Sequence, residues 1–76
     1  MNRPIYAIAA DIACDWKKPY FGAVPYIEAM CGLTSVDEMY GCDSAKSILA
    51  YFLANANTWR GDTARAIKVE INQLLK

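Results

Sequence analysis

Ile5, Ile8, Ala9, Ile12 and Trp16 recur at intervals of three and four residues, the spacing that lines one face of an α-helix. Pro4 suits a helix start, with Asn2 ahead of it as a cap. Lys17 and Lys18 suit the negative end of the helix dipole, and Pro19 stops the helix. A second, shorter helix is expected over residues 25–32, where Pro25 fits the first turn, Tyr26, Ile27, Ala29 and Met30 supply apolar surface, and Gly32 ends it. Residues 20–24 read either as an extra turn of that helix kinked at Pro25 or as a connection. Ser35-Val36-Asp37-Glu38 has the S-x-x-E form of a capping box, which predicts a brief helix over 35–40 broken by Gly41.

The strongest apolar stripe follows. Ala45, Ile48, Leu49, Phe52, Leu53 and Ala56 cover one wide face of a helix over 43–57, with Asp43 as its cap. Trp59-Arg60-Gly61 connects to a last helix over 62–76, capped by Asp62 or Thr63. Ala64, Ile67, Ile71, Leu74 and Leu75 share one face of it, while Arg65, Lys68, Asn72 and Lys76 point elsewhere. No run alternates with period two long enough for a strand. The expected fold is all-α: one domain over 1–76, a compact bundle of about four short helices plus the short capping-box helix.

Composition changes the picture in one respect. The chain has 76 residues, of which 55% are hydrophobic, and so small a domain has too much surface to hide them all. Part of the excess is alanine, which tolerates water. The rest predicts exposed apolar groups or a covering partner, such as a second copy in a homodimer. Eight basic and eight acidic residues cancel, whereas a protein built for phosphate backbones carries a basic excess. The charges are segregated: Arg3, Lys17 and Lys18 face six acids over 1–43, while Lys46, Arg60, Arg65, Lys68 and Lys76 face Asp62 and Glu70 over 44–76. Such polarity can steer a partner or a second copy.

Candidate chemistry is sparse. Cys14, Cys31 and Cys42 form an odd set without C-x-x-C spacing, and histidine is absent. No structural zinc site or disulfide framework is therefore expected, and the thiols are expected mostly as small buried hydrophobes. Without histidine, a cysteine nucleophile lacks its usual base; Cys42, beside the Asp43 cap, is the one thiol near a helix start. Asp11 and Asp15, four apart, form a carboxylate pair that reads first as solvated surface and only second as acid–base or metal chemistry. The four glycines are isolated, so no phosphate loop is visible. No cofactor, metal or catalytic role is expected. The apolar run after Arg3 is short and interrupted by Asp11, unlike an export signal, and nothing reaches the length of a membrane span.

Two surfaces remain. The helical pair over 43–76, with Arg60, Arg65 and Lys68, resembles a helix-turn-helix in outline and provides the nucleic-acid alternative; an ordinary helical hairpin explains the same pattern. Trp59 beside Arg60 has the composition of an interface hot spot, set against a Trp59 that simply closes the core. Trp16, Tyr20 and Phe21 pose the same choice. Tyr6, Tyr20, Tyr26, Tyr40 and Tyr51 are amphipathic groups suited to half-buried contacts. Trp59, Arg60, Arg65, Lys68, Tyr40 and Tyr20 are thus the candidate partner-binding residues.

Asp15-Trp16, Tyr20-Phe21-Gly22-Ala23, Pro25-Tyr26 and Ala29-Met30 together resemble a pattern found in short proteins encoded by bacteriophages and prophages. So do Tyr40-Gly41 with Asp43-Ser44, Tyr51-Phe52-Leu53, and Thr58-Trp59-Arg60-Gly61 with Ala64-Arg65 and Ile67-Lys68. The resemblance spans most of the chain and carries no catalytic motif. It implies a cytoplasmic protein of an infected bacterium that binds a host protein and blocks or redirects it.

Overall fold

The computed structural model describes residues 3–76; Asn2, the expected first cap, lies outside them. Helix α1 spans Ile5–Asp15, α2 Val24–Met30, α3 Ala45–Ala54 and α4 Asp62–Leu74, with a two-stranded hairpin, β1 Met39–Tyr40 and β2 Asp43–Ser44, before α3. The molecule is mostly helical but not strictly all-α.

The apolar stripes fall where their spacing places them. Ile5, Ile8, Ala9 and Ile12 of α1, Ala45, Ile48, Leu49 and Phe52 of α3, and Ala64, Ile67, Ile71 and Leu74 of α4 are all buried in one cluster. α1 packs on α2 and α4, and α3 packs on the same two helices, so the four close into a ring around that cluster. Arg3 ties the ring where the chain ends meet. Its guanidinium donates to Asp11 of α1 and, through two nitrogens at 2.8 and 3.1 Å, to the Glu70 carboxylate of α4. Those two carboxylates hold the Arg3 guanidinium in its charged form well above the usual arginine range. At the start of α1, two amide groups that no helical carbonyl can reach are satisfied from outside: Ile5 and Tyr6 donate to the Thr34 and Leu33 carbonyls at 3.0 and 2.9 Å.

Helix ends depart from the sequence reading at several points. α1 stops at Asp15 with Trp16 as C-cap, so Lys17 and Lys18 lie in the bend beyond it. Residues 21–23 form a turn, and α2 begins one residue before Pro25. The cap of α3 is Ser44, whose Oγ accepts from the Ser47 amide at 3.1 Å, rather than Asp43. α4 starts at Asp62 after Gly61, whose φ of 117° only glycine adopts easily, and no side chain caps it.

The largest departure is at residues 35–44. No helix forms there. Ser35 Oγ accepts from the Asp37 amide two residues on, and the Glu38 carboxylate accepts from the Thr34 amide, so the capping-box pair closes a turn instead. Six residues ending at a glycine are too few to nucleate a helix. Gly41, with φ of +62° and no positive φ at Cys42, instead occupies the first central position of a two-residue hairpin loop between Tyr40 and Asp43.

Candidate functional site

Of the sequence-predicted contact residues, Trp59 is the one the fold takes inside. It is 2% exposed. Its ring stacks on Trp16 at 5.6 Å and meets Phe52 edge-on at 6.1 Å, and its indole N–H donates to Asp15 Oδ2 at 2.8 Å. Lys68 is also committed. Its ammonium donates to the Ala56 and Trp59 carbonyls at 2.8 and 2.7 Å and lies 5.9 Å from the Trp59 ring, joining the connection to α4. Burial, and then the positive charge of Arg60, push this ammonium below the usual lysine range. Arg60 and Arg65 remain exposed around a shallow depression with Gly61 and Ala64, and Arg65 lies 3.6 Å from the exposed Asp62 carboxylate. The connection between α3 and α4 takes seven residues, 55–61, longer than the three or four of a helix-turn-helix.

Tyr20 leads to a different surface. Its ring packs on Phe21 at 4.7 Å and lies so close over Gly22 that a Cβ there would sit 2.6 Å from it and 2.8 Å from Asn55 Oδ1. Asn55 in turn donates to the Tyr51 carbonyl one turn back on α3, and the Tyr51 ring packs on Tyr26 at 5.6 Å. The result is a continuous aromatic ridge along the antiparallel α2–α3 pair. Tyr20 is 44%, Tyr51 51% and Phe21 80% exposed. Lys46, Ala50 and Ala54 are the other outward positions of α3 beside Tyr51, and a hollow of about 290 Å³ opens between Tyr20, Ala54, Asn57 and Thr58. Of these side chains only Lys46, at the hairpin end of α3, is charged. Lys17 and Lys18, exposed at the Tyr20 end, have no acidic partner within 4 Å among the described residues. A large aromatic surface left in water costs free energy that a covering partner recovers at roughly 25 cal/mol per Å².

Tyr40 sits apart from the ridge, in the hairpin at the opposite end of α3, with Met39 also exposed. The sequence reading missed the ridge as a unit. Phe21 lies off every helical stripe, in a connection, and that placement is the one signal that it points outward.

No family model matches the chain, nor does any curated protein or solved structure.

The remaining chemistry-bearing groups are dispersed. Asp11 is paired with Arg3 and Asp15 with the Trp59 indole, so the two carboxylates serve separate structural contacts. All three cysteines are exposed rather than buried: Cys14 faces away from the core stripe of α1, Cys31 follows α2, and Cys42 lies in the hairpin loop. Among the described residues, no three His, Cys, Asp or Glu side chains converge as metal ligands, and no helix is long and apolar enough to cross a membrane.

Proposed function

We propose that this chain is a protein-binding module whose contact face is the ridge of Tyr20, Phe21, Tyr26 and Tyr51. It acts in the bacterial cytoplasm, as the resemblance to short phage proteins implies, by occupying a host protein and blocking or redirecting it rather than by chemistry of its own. The observation that carries the reading is the exposed Phe21 ring, packed on a Tyr20 ring that itself lies against Gly22, on an aromatic face whose charged neighbours, Lys17, Lys18 and Lys46, stand at its ends. An anchor fixed before binding loses little side-chain entropy on contact. Arg60 and Arg65 fit the nucleic-acid alternative less well, because Lys68, the third cation of that set, is spent on two backbone carbonyls.

Capture from nuclease-treated bacterial lysate tests the proposal. The wild-type protein is expected to retain a protein partner that the Phe21→Ser/Tyr51→Ser variant loses, since truncating an interface anchor costs about 2 kcal/mol or more. Both positions are exposed, so the variant should melt close to wild type. Equal capture by the two proteins would sink the ridge as the contact face. Capture that disappears on nuclease treatment would favour nucleic acid.

A further inference from the structure

The molecule carries a second exposed surface whose chemistry complements the ridge. In the hairpin region, Asp37, Glu38 and Asp43 bring three negative charges around exposed Met39 and Tyr40, and none of the three acids has a basic partner within 4 Å among the described residues. The ridge presents Tyr20 and Phe21 beside the unpaired Lys17 and Lys18. An acidic, apolar segment is what such a surface recognises.

The two surfaces also stand in a particular relation. The hairpin runs straight into the first residue of α3, and the Tyr20 end of the ridge lies against Asn55, just past the last. α3 has ten residues, so the surfaces are separated by roughly 15 Å along one helix. Two copies laid antiparallel along α3, with a two-fold axis near Ala50, bring residues 40–43 of each opposite residues 57–60 of the other. That is where the hollow between Tyr20, Asn57 and Thr58 opens. Ala50 and Ala54 on the outward face let the helices approach, with Lys46 of each copy opposite Ala54 of the other. The arrangement uses each surface once per copy and closes, as an isologous contact does.

Area decides between this and a contact through the ridge alone. An aromatic side chain carries about 150–250 Å², so the exposed fractions of Tyr20, Phe21 and Tyr51 amount to roughly 350 Å². A standard interface takes about 800 Å² from each partner, about a sixth of the 4789 Å² this chain exposes. The ridge alone falls well short. Met39 and Tyr40, 61% and 48% exposed, enlarge the contact, and the outward alanines and the two charged borders extend it further.

We propose that the partner of the ridge is a second copy of this chain, bound about a two-fold axis across α3 so that the acidic hairpin of each copy seats on the Lys17–Phe21 end of the other. The inference rests on the ridge being a protein-contact face and names what covers it in the free protein; a host protein then competes with the second copy for the same face.

Sedimentation equilibrium over about a hundredfold concentration range tests it, at low and high salt. The wild-type protein is expected to dimerise, more weakly as salt rises. Lys17→Glu/Lys18→Glu and, separately, Asp37→Lys/Asp43→Lys should each weaken the dimer about tenfold. The four substitutions combined should restore it to within about threefold of wild type, because the reversed hairpin of one copy then meets the reversed border of the other. All four side chains are exposed and make no hydrogen bond that a fold change would need to replace, and circular dichroism checks that each variant is folded. A monomer at every concentration overturns the proposal. So does a dimer indifferent to both reversals, or a combined variant no better than either one. A monomer that still captures a lysate protein through Phe21 and Tyr51 refutes self-docking while leaving the ridge as a contact face.

Discussion

Trp59 shows how one residue type can serve opposite roles depending on what surrounds it. A tryptophan beside an arginine on a connection has the makings of an interface anchor, yet the ring stacks on Trp16 and its N–H finds Asp15. The carboxylate that makes this burial affordable lies 44 positions away in sequence, so no local pattern announces it. Trp59→Ala is expected to cost about 3–5 kcal/mol, a large share of the stability of so small a domain, and thermal melting by circular dichroism should find it largely unfolded. Asp15→Ala isolates a smaller contribution, about 1–2 kcal/mol for an indole donor left without its partner, read as a lower urea midpoint with unchanged slope. Lys68→Met tests the other side of the same junction. It removes the ammonium donor from the Trp59 carbonyl and from the Ala56 carbonyl, which keeps only the Trp59 amide, and should cost about 1–3 kcal/mol. If Lys68 were a contact residue instead, the substitution would change binding and leave the urea midpoint where it was.

Among elements, the three long stripes, on α1, α3 and α4, were readable because burial follows a period that sequence displays directly. Ile48, Leu49 and Phe52 could face only one way on a helix. The segment 35–44 was not readable by the same means, because two local signals compete there. Ser35 and Glu38 carry the residue types of a helix start, and Gly41 carries that of a hairpin loop. Gly41 decides, since a positive φ at that point closes the chain on itself before a helical turn can propagate. Gly41→Ala should therefore cost about 1–2 kcal/mol, the strain of placing a Cβ in the left-handed region, although nothing lies within 4 Å of the added atom. The ridge was legible only in pieces. Tyr20, Tyr26 and Tyr51 were visible as amphipathic residues, but their union depends on Gly22 letting the Tyr20 ring and Asn55 approach one another across two elements. Gly22→Ala should leave α2 and α3 intact and displace that ring, seen as shifted aromatic resonances for Tyr20 and Phe21 with those of the Trp16–Trp59 stack unchanged.

At the scale of the whole molecule, the ring of helices closes only through its ends. α1 and α4 meet each other, and Arg3 spans both by reaching Asp11 and Glu70. The seam joins Arg3, a cation of the half whose net charge is −3, to Glu70, an anion of the half whose net charge is +3, so it leaves the excess charge of each half unpaired. Exposed ion pairs contribute up to about 1 kcal/mol each, so Arg3 fixes geometry more than it supplies stability. The stability comes from α4 itself, whose Ala64, Ile67, Ile71 and Leu74 complete the core. Burying three large aliphatic side chains is worth about 1.5–3 kcal/mol apiece. Their sum is of the order of the entire folding free energy of a small domain. A fragment of residues 1–61 thus keeps three helical sequences and loses the surface against which α1 and α3 both rest. Its far-ultraviolet circular dichroism should show little helix and its amide resonances little dispersion. Adding the 62–76 peptide should restore both only if the chain folds as a single cooperative ring; a fragment that is already helical and dispersed alone would mean that α1, α2 and α3 form a core without it.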